Sequence, residues 1–277
     1  MINGHTQLFG IIGDPVEHSL SPVMHNAAFA HLGINGVYVP MRPSALADGF
    51  RGLRSLGFIG VSVTVPFKVA IMDFLDAIDP VARKIGAVNT LLFERTESGM
   101  YCKGSNTDWL GSNQALAEAL DPVGRTILII GAGGAARAVG FGLIEAGARV
   151  FITNRTESKG WELAAQLNCR YVPPGELAAV QADALINTTS VGMAPYIEAM
   201  PIAPELLPNF PVVMDIVYAP LETRLLREAA ARGCRTIDGL KMLQYQGAAQ
   251  FALWTGRQAP HAIMRQALIA ALHSPQI

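Results

Sequence analysis

The chain has 277 residues, of which 51% are hydrophobic and 16% charged, and its net charge is −1. This composition excludes a disordered polymer and provides enough apolar mass for two domains of ordinary size. It also excludes bulk electrostatic attraction to nucleic acid or an anionic membrane, so any anionic ligand must be met by a few local groups.

Short apolar runs alternate with longer amphipathic stretches along the chain. Residues 8–12 read as a strand. Ser21 and Pro22 then open a helix, Ser21 as its N-cap and Pro22 in its first turn, and Gly33 closes it. A strand over 37–41, a helix over 44–56 stopped by Gly57, and a strand over 59–63 follow. Asp79 and Pro80 cap a short helix that ends at Gly86. This βαβαβ order predicts a mainly parallel sheet. Segments 91–94 and 100–103 flank Ser98 and Gly99, which read as a hairpin turn.

A connecting helix is expected over 108–120, ended by Asp121 and Pro122. A second α/β unit starts at Thr126. Its first strand, Ile127-Leu128-Ile129-Ile130, lacks alternation, as expected when both faces are buried. Further strands are expected at 149–153, 184–187 and 212–216, separated by helices at 135–146, 157–167 and 222–232. Two last helices are expected over 242–254 and 261–272.

Gly131-Ala132-Gly133-Gly134-Ala135-Ala136 follows the buried strand and opens a helix. The first glycine permits a tight turn and the second lets the backbone approach a pyrophosphate. Ala136 stands where a third glycine is usual and is small enough for close helix–strand packing. Unpaired N–H groups at the helix start can bind phosphate oxygens. An NAD site usually places a carboxylate about 20 residues on, to bind ribose hydroxyls. This chain has Asn154-Arg155-Thr156 there. A guanidinium can clamp a 2′-phosphate that a carboxylate would repel, and Lys159 adds a second positive charge. The expected cofactor is therefore NADP(H).

Three cysteines, Cys102, Cys169 and Cys234, are far apart and form no C-x-x-C pair, so they read as reduced thiols. His18 and His25 stand seven apart with no third ligand of matching spacing, so no metal is expected and structural hydrogen bonding is the preferred role. The first residues carry no charged and apolar leader pattern, and no uncharged apolar run reaches membrane-spanning length. A soluble, cytoplasmic protein is expected.

Eight motifs then occur in a fixed order: H-S-L-S-P-x-M-H-N at 18–26, V-T-V-P-F-K at 63–68, G-A-V-N-T at 86–90, G-S-N-T-D at 104–108, the glycine turn, N-R-T at 154–156, N-T-T-S-V-G-M at 187–193, and D-G-L-K-M-L-Q-Y-Q-G at 238–247. In these, over about residues 8–257, the chain resembles the shikimate dehydrogenases. The resemblance implies reversible reduction of 3-dehydroshikimate to shikimate with NADPH; a quinate or dual quinate/shikimate dehydrogenase is the alternative, and a non-catalytic NADP-binding paralogue a remote third. It implies that Lys68 and Asp108 are the catalytic pair and that Ser19 and Ser21 bind the substrate carboxylate. Thr64, Asn89 and Gln246 would bind its carboxylate or ring hydroxyls, with Tyr218 nearby. Gly131, Ala132, Gly133, Gly134 and Ala135 would cradle the pyrophosphate, and Asn154, Arg155 and Thr156 the 2′-phosphate. Thr188, Ile216, Gly239 and Met242 would line the ribose and nicotinamide end. The implied architecture is a discontinuous substrate domain, 1–107 with 243–277, and a Rossmann-like NADP-binding domain over 108–242. A homodimer is a possible assembly. Two positions depart from the family's pattern: Lys241 stands where glycine is frequent, and Ser112 where a larger apolar residue is common.

Overall fold

The structure, a computed structural model, describes residues 2–97 and 99–273. The chain forms two compact units: Met1–Thr107 with Gln246–Ile277, and Asp108–Tyr245.

The first unit contains β1 (Gln7–Ile12), α1 (Ser21–His31), β2 (Gly36–Met41), α2 (Leu46–Ser55), β3 (Gly60–Val63), β4 (Ala77–Ile78), α3 (Pro80–Ile85), β5 (Thr90–Thr96) and β6 (Gly99–Ser105). Its sheet has the order β2-β1-β3-β5-β6-β4. Strands β2, β1 and β3 are parallel, whereas β5 runs antiparallel to β3 and β6. The βαβαβ segment thus builds the parallel half, and a hairpin extends it. Thr96 faces Gly99 across that hairpin; Ser98 lies outside the described residues.

Local chemistry sets several element ends. Asp79 accepts the Val81 N–H at 2.9 Å to start α3, and Gly86 ends it in the left-handed conformation, with φ of 71°. At α1 the expectation is corrected. Ser21 is the first helical residue, not the N-cap, which is Leu20. The Ser19 hydroxyl accepts the Ser21 N–H at 3.3 Å, because Ser19 is the residue still outside the helix. Strand β4 has only two residues, too few for a periodic signal.

The second unit contains α4 (Asp108–Ala117), β7 (Thr126–Ile130), α5 (Gly134–Glu145), β8 (Arg149–Thr153), α6 (Glu157–Gln166), β9 (Arg170–Tyr171), β10 (Ala184–Asn187), β11 (Val212–Asp215), α7 (Arg224–Ala231) and β12 (Arg235–Ile237). Its sheet is parallel throughout, in the order β12-β11-β10-β7-β8-β9. The direction of winding reverses between β7 and β10, the place where open α/β sheets bind ligands. Ile127, Leu128 and Ile129 are fully buried, which accounts for the unbroken apolar run. Helix α7 starts after Thr223, later than the expected 222, since the Thr223 hydroxyl accepts the Leu226 N–H as the cap.

Helix α8 (Gly239–Thr255) begins in the second unit and passes into the first at Gln246, and α9 (His261–His273) follows it. Its residues Gln246, Gln250 and Trp254 recur every four positions and so share one face. That face docks on the start of β5. The Gln250 amide donates to the Asn89 carbonyl at 3.1 Å and the Trp254 indole to the Leu91 carbonyl at 2.9 Å. Among the described residues no helix is long and apolar enough to cross a membrane.

His25 is fully buried in an aromatic cage, stacked 4.5 Å from Tyr38 and flanked by Phe29, Phe251 and Trp254. Neither ring nitrogen makes a hydrogen bond of ordinary geometry, although Gln250 lies beside the ring. The expected hydrogen-bonding role is therefore corrected to packing. Burial holds the imidazole neutral, with its pKa lowered from 6.5 to about 3; proximity to Gln250 opposes this only weakly.

Between those two pH values the unfolded chain binds a proton at His25 that the folded chain does not. The stability His25 confers is complete above pH 6.5 and is lost as pH falls toward 3. In urea unfolding at pH 7 and pH 4.5, the wild type should lose on the order of 2 kcal/mol more than His25→Phe. Equal losses would refute this. A second test concerns Gly60, where an added Cβ would stand 2.4 Å from the Trp254 ring. Gly60→Ala should cost about 1–3 kcal/mol in the same assay by overpacking; unchanged stability would show that α8 can move away freely.

Candidate active site

In the first unit, the predicted substrate residues gather around the carboxyl ends of β1 and β3. Ile12 ends β1 beside Val63, which ends β3. The Thr64 N–H donates to the Ile12 carbonyl at 2.9 Å, and the Asp14 N–H to the Val65 carbonyl at 3.0 Å. These bonds tie the loop that carries Ser19 and leads into α1 at Ser21 to the loop that carries Thr64 and Lys68. Arg42 braces the first loop from outside, 2.8 Å from Asp14 and 3.5 Å from Glu17. The Thr64 carbonyl accepts the Phe67 N–H at 2.9 Å, closing a turn just before Lys68. The Lys68 carbonyl accepts the Val88 N–H at 2.8 Å, which places Lys68 next to the segment bearing Asn89.

Asn89 is buried, with 2% exposure. Its side-chain oxygen accepts from the Thr90 hydroxyl at 2.6 Å and the Thr107 N–H at 2.8 Å. Its amide nitrogen donates to the Thr107 hydroxyl at 3.0 Å and to Gln246 Oε1 at 3.3 Å. Gln246 of α8 is thereby brought to Asn89 from 157 positions away. Thr107 is held from two sides, and it directly precedes Asp108, the buried first residue of α4. Lys68 belongs to the first unit and Asp108 opens the second.

In the second unit, the predicted cofactor residues follow the carboxyl ends of the parallel strands. Gly131 comes directly after β7 with φ of 124°, and its N–H donates to the Thr153 carbonyl at 2.9 Å. A Cβ there would lie 2.4 Å from the Thr188 hydroxyl oxygen, so only glycine fits the turn. Thr188, after β10, donates its hydroxyl to the Ile130 carbonyl at 2.7 Å. This bond spans the switch between β7 and β10. Ala132, Gly133, Gly134 and Ala135 lead into α5, whose N-cap Gly133 has no side chain to occupy the first N–H groups. That helix start remains suited to a pyrophosphate.

Asn154, Arg155 and Thr156 follow β8. Asn154 folds the segment by donating to the Thr156 carbonyl at 2.8 Å, and Arg155 and Lys159 are exposed. The end of β8 therefore presents two cations and no carboxylate in the Asn154-Arg155-Thr156 turn, which fits a 2′-phosphate. Ile216 and Tyr218 follow β11, whereas Gly239 and Met242 follow β12 on the first turn of α8. Lys241 forms an ion pair with Glu118, which also accepts the Tyr245 hydroxyl at 2.8 Å. The Ser112 hydroxyl donates to the Trp109 carbonyl at 3.1 Å within α4. Both departures from the family pattern thus have local partners.

Two features escaped the sequence reading. One is the set Tyr38, Ser62 and Gln250, buried polar side chains behind Asn89. The other is Asp215, with 0% exposure at the end of β11. It accepts from Asn187 at 2.9 Å, from the Val217 N–H at 3.0 Å and from the Thr223 hydroxyl at 2.7 Å. Burial raises its pKa to about 6; the bonds from Val217, Thr223 and Asn187 oppose that rise. Asp215 so ties together the loops that carry Thr188 and Ile216. A charge closing an apolar strand, Val212-Val213-Met214-Asp215, was the available signal. Among the described residues no group of three or more His, Cys, Asp or Glu could hold a metal ion.

Comparison with known proteins accounts for nearly the whole chain. Residues 11–91 match the shikimate dehydrogenase substrate binding domain, 115–204 the shikimate / quinate 5-dehydrogenase family, and 239–269 the shikimate 5'-dehydrogenase C-terminal domain. The shikimate dehydrogenase (NADP(+)) of Moorella thermoacetica is 47% identical, over 98% of this chain and 95% of its own. The crystal structure of shikimate dehydrogenase from Aquifex aeolicus superposes with a TM-score of 0.89 at 39% identity, covering 97% of this chain and 99% of that one. That of the Thermus thermophilus shikimate 5-dehydrogenase, in complex with NADP(H) and shikimate, gives 0.87 at 40%, covering 96% and 100%. With the ordered motifs, the two α/β units and these matches in agreement, the chain belongs to the shikimate dehydrogenase family.

Proposed function

We propose that this protein catalyses the reversible, NADP(H)-dependent interconversion of 3-dehydroshikimate and shikimate. The observation that carries the reading is the agreement of two independently built halves. One unit has hydroxyl and amide side chains at the ends of β1 and β3 and the start of β5, with Lys68 in the loop after β3, a set that supports a small carboxylated polyol as ligand. The other presents a glycine turn and exposed cations at the carboxyl ends of parallel strands. Relatives that match almost end to end are named for NADP(+) and shikimate.

In this reading Ser19 and Ser21 bind the substrate carboxylate through their hydroxyls. Thr64, Asn89 and Gln246 hydrogen-bond its carboxylate or ring hydroxyls, and Tyr218 is a further substrate residue. NADPH, when bound, supplies the hydride. Gly131, Ala132, Gly133, Gly134 and Ala135 hold its pyrophosphate, and Asn154, Arg155, Thr156 and Lys159 its 2′-phosphate. Thr188, Ile216, Gly239 and Met242 contact its ribose and nicotinamide end. The carbonyl oxygen of the substrate gains negative charge as it is reduced. Lys68 stabilises that charge and delivers the proton, and Asp108 orients the ammonium and the product hydroxyl. Oxidation of shikimate uses the same groups in reverse, with Lys68 receiving the proton. The substrate domain is 1–107 with the C-terminal helices, and the cofactor domain is the intervening segment.

Lys68→Ala should lower kcat by about 100-fold or more with little change in KM, since the ammonium acts mainly in the transition state. Near-normal kcat would remove Lys68 from the mechanism. Arg155→Ala should raise KM for NADP⁺ about tenfold while KM for shikimate stays within about twofold, as expected for loss of a charge-assisted bond to phosphate. An equal rise for both substrates would assign Arg155 a structural role instead.

A further inference from the structure

Strands β10 and β11 of the second unit end on two buried polar residues, Asn187 and Asp215, both with 0% exposure. Backbone groups fix which way the Asn187 amide faces. The Thr189 N–H can only donate, so the atom it meets at 3.1 Å is the side-chain oxygen of Asn187. That oxygen also accepts the Thr189 hydroxyl at 2.7 Å. The amide nitrogen therefore faces the other way, toward two acceptors: the Val191 carbonyl at 3.2 Å and Asp215 Oδ1 at 2.9 Å. All four hydrogen-bonding positions of the Asn187 side chain are thus used.

The two oxygens of Asp215 have different partners. Oδ1 accepts from Asn187 and from the Val217 N–H at 3.0 Å, while the adjacent Ile216 N–H donates to the Asn187 main-chain carbonyl at 3.1 Å. Oδ2 accepts the hydroxyl of Thr223, the cap of α7, at 2.7 Å. Oδ1 is therefore the junction between the loops after β10 and β11, and Oδ2 holds the far end of the second loop. Three residues of the cofactor site adjoin this junction. Thr188 follows Asn187, and its N–H and hydroxyl both donate to the Ile130 carbonyl, at 2.9 and 2.7 Å. Ile216 follows Asp215. Gly239 rests on the second loop, since a Cβ there would stand 2.4 Å from the Ile216 carbonyl oxygen and 2.6 Å from that of Val217. One further bond joins the same loops without Asp215, from the Ala194 N–H to the Ala219 carbonyl at 3.2 Å.

We propose that Asp215 is a positioning residue for the nicotinamide end of the cofactor: through Asn187 and Val217 it sets the loops that carry Thr188 and Ile216, and through Ile216 the seat of Gly239. Both groups on Oδ1 are neutral N–H donors, so the junction needs an acceptor at that position rather than a negative charge. An amide oxygen serves equally, with its nitrogen turned to the Thr223 oxygen. The glycine turn and Arg155, which meet the other half of the dinucleotide, make no bond to Asp215 among those that hold it. The inference rests on the reading of Thr188, Ile216 and Gly239 as cofactor residues.

The test is calorimetric binding of NADP⁺ and of adenosine 2′,5′-bisphosphate, which lacks the nicotinamide half, with steady-state kinetics on the wild type, Asp215→Ala and Asp215→Asn. A wild type that binds neither ligand would overturn the cofactor reading, and this proposal with it. Given binding, Asp215→Ala should raise Kd for NADP⁺ about fivefold and lower kcat about tenfold, because the reacting end is misplaced. Its Kd for the bisphosphate should stay within about twofold, and Asp215→Asn should stay within about twofold of the wild type in all three readings. The proposal is overturned if a folded Asp215→Ala binds NADP⁺ like the wild type. It is equally overturned if Kd for the two ligands rises alike, which is general loosening of the unit, or if Asp215→Asn is as impaired as Asp215→Ala. Should Asp215→Ala not fold, Asn187→Ala breaks the same junction from the other side and decides by the same binding readings.

Discussion

A buried amide is costly to leave unpaired, and the buried Asn89 has partners on both its oxygen and its nitrogen. Leaving one of its groups unpaired would cost about 1–3 kcal/mol. Its partners come from β5, from the residue before α4, and from α8. To satisfy them, the chain must return to the first unit after 138 intervening residues, Asp108–Tyr245. The docking face of α8 achieves this with Gln246, Gln250 and Trp254 placed one helical turn apart. The return of the chain to the first unit thus completes the hydrogen bonding of Asn89.

The second unit meets a similar constraint by different means. Its central strands β7, β10 and β11 are buried along almost their whole length, so polar groups collect at their carboxyl ends. There Gly131 and Thr188 approach so closely that no Cβ fits between them. Asp215 then joins the loops after β10 and β11 by accepting three hydrogen bonds. Its raised pKa reflects how dry that place is. Each unit thus ties together loops at its strand ends through one buried polar residue, an amide in the first and a carboxylate in the second.

Much of this was legible in the sequence. The unbroken run Ile127-Leu128-Ile129-Ile130 announced a strand buried on both faces, and the structure has it so. Asp79 and Gly86 announced the two ends of α3 correctly. Strands β4, β9 and β12 were not legible, because two or three residues carry no periodicity. Ser21 was misread as a cap because a serine before proline is an ordinary helix start; its burial is a tertiary fact. His25 was misread for the same reason. Gln250 sits in Ala248-Ala249-Gln250-Phe251-Ala252, where nothing local distinguishes it from a helix-surface glutamine. Its burial is matched by partners distant in sequence, Ser62 among them, 188 positions away.

The proposed reaction requires donors for a carboxylate in the first unit and cations for a 2′-phosphate in the second. Initial-rate measurement of nicotinamide reduction by the wild-type protein tests both halves at once, with shikimate and quinate each paired with NADP⁺ and NAD⁺. The account predicts the highest kcat/KM for shikimate with NADP⁺. A higher value with NAD⁺ would contradict the role of Arg155 and Lys159, a higher value with quinate would contradict the substrate assignment, and no turnover in any pairing would contradict both.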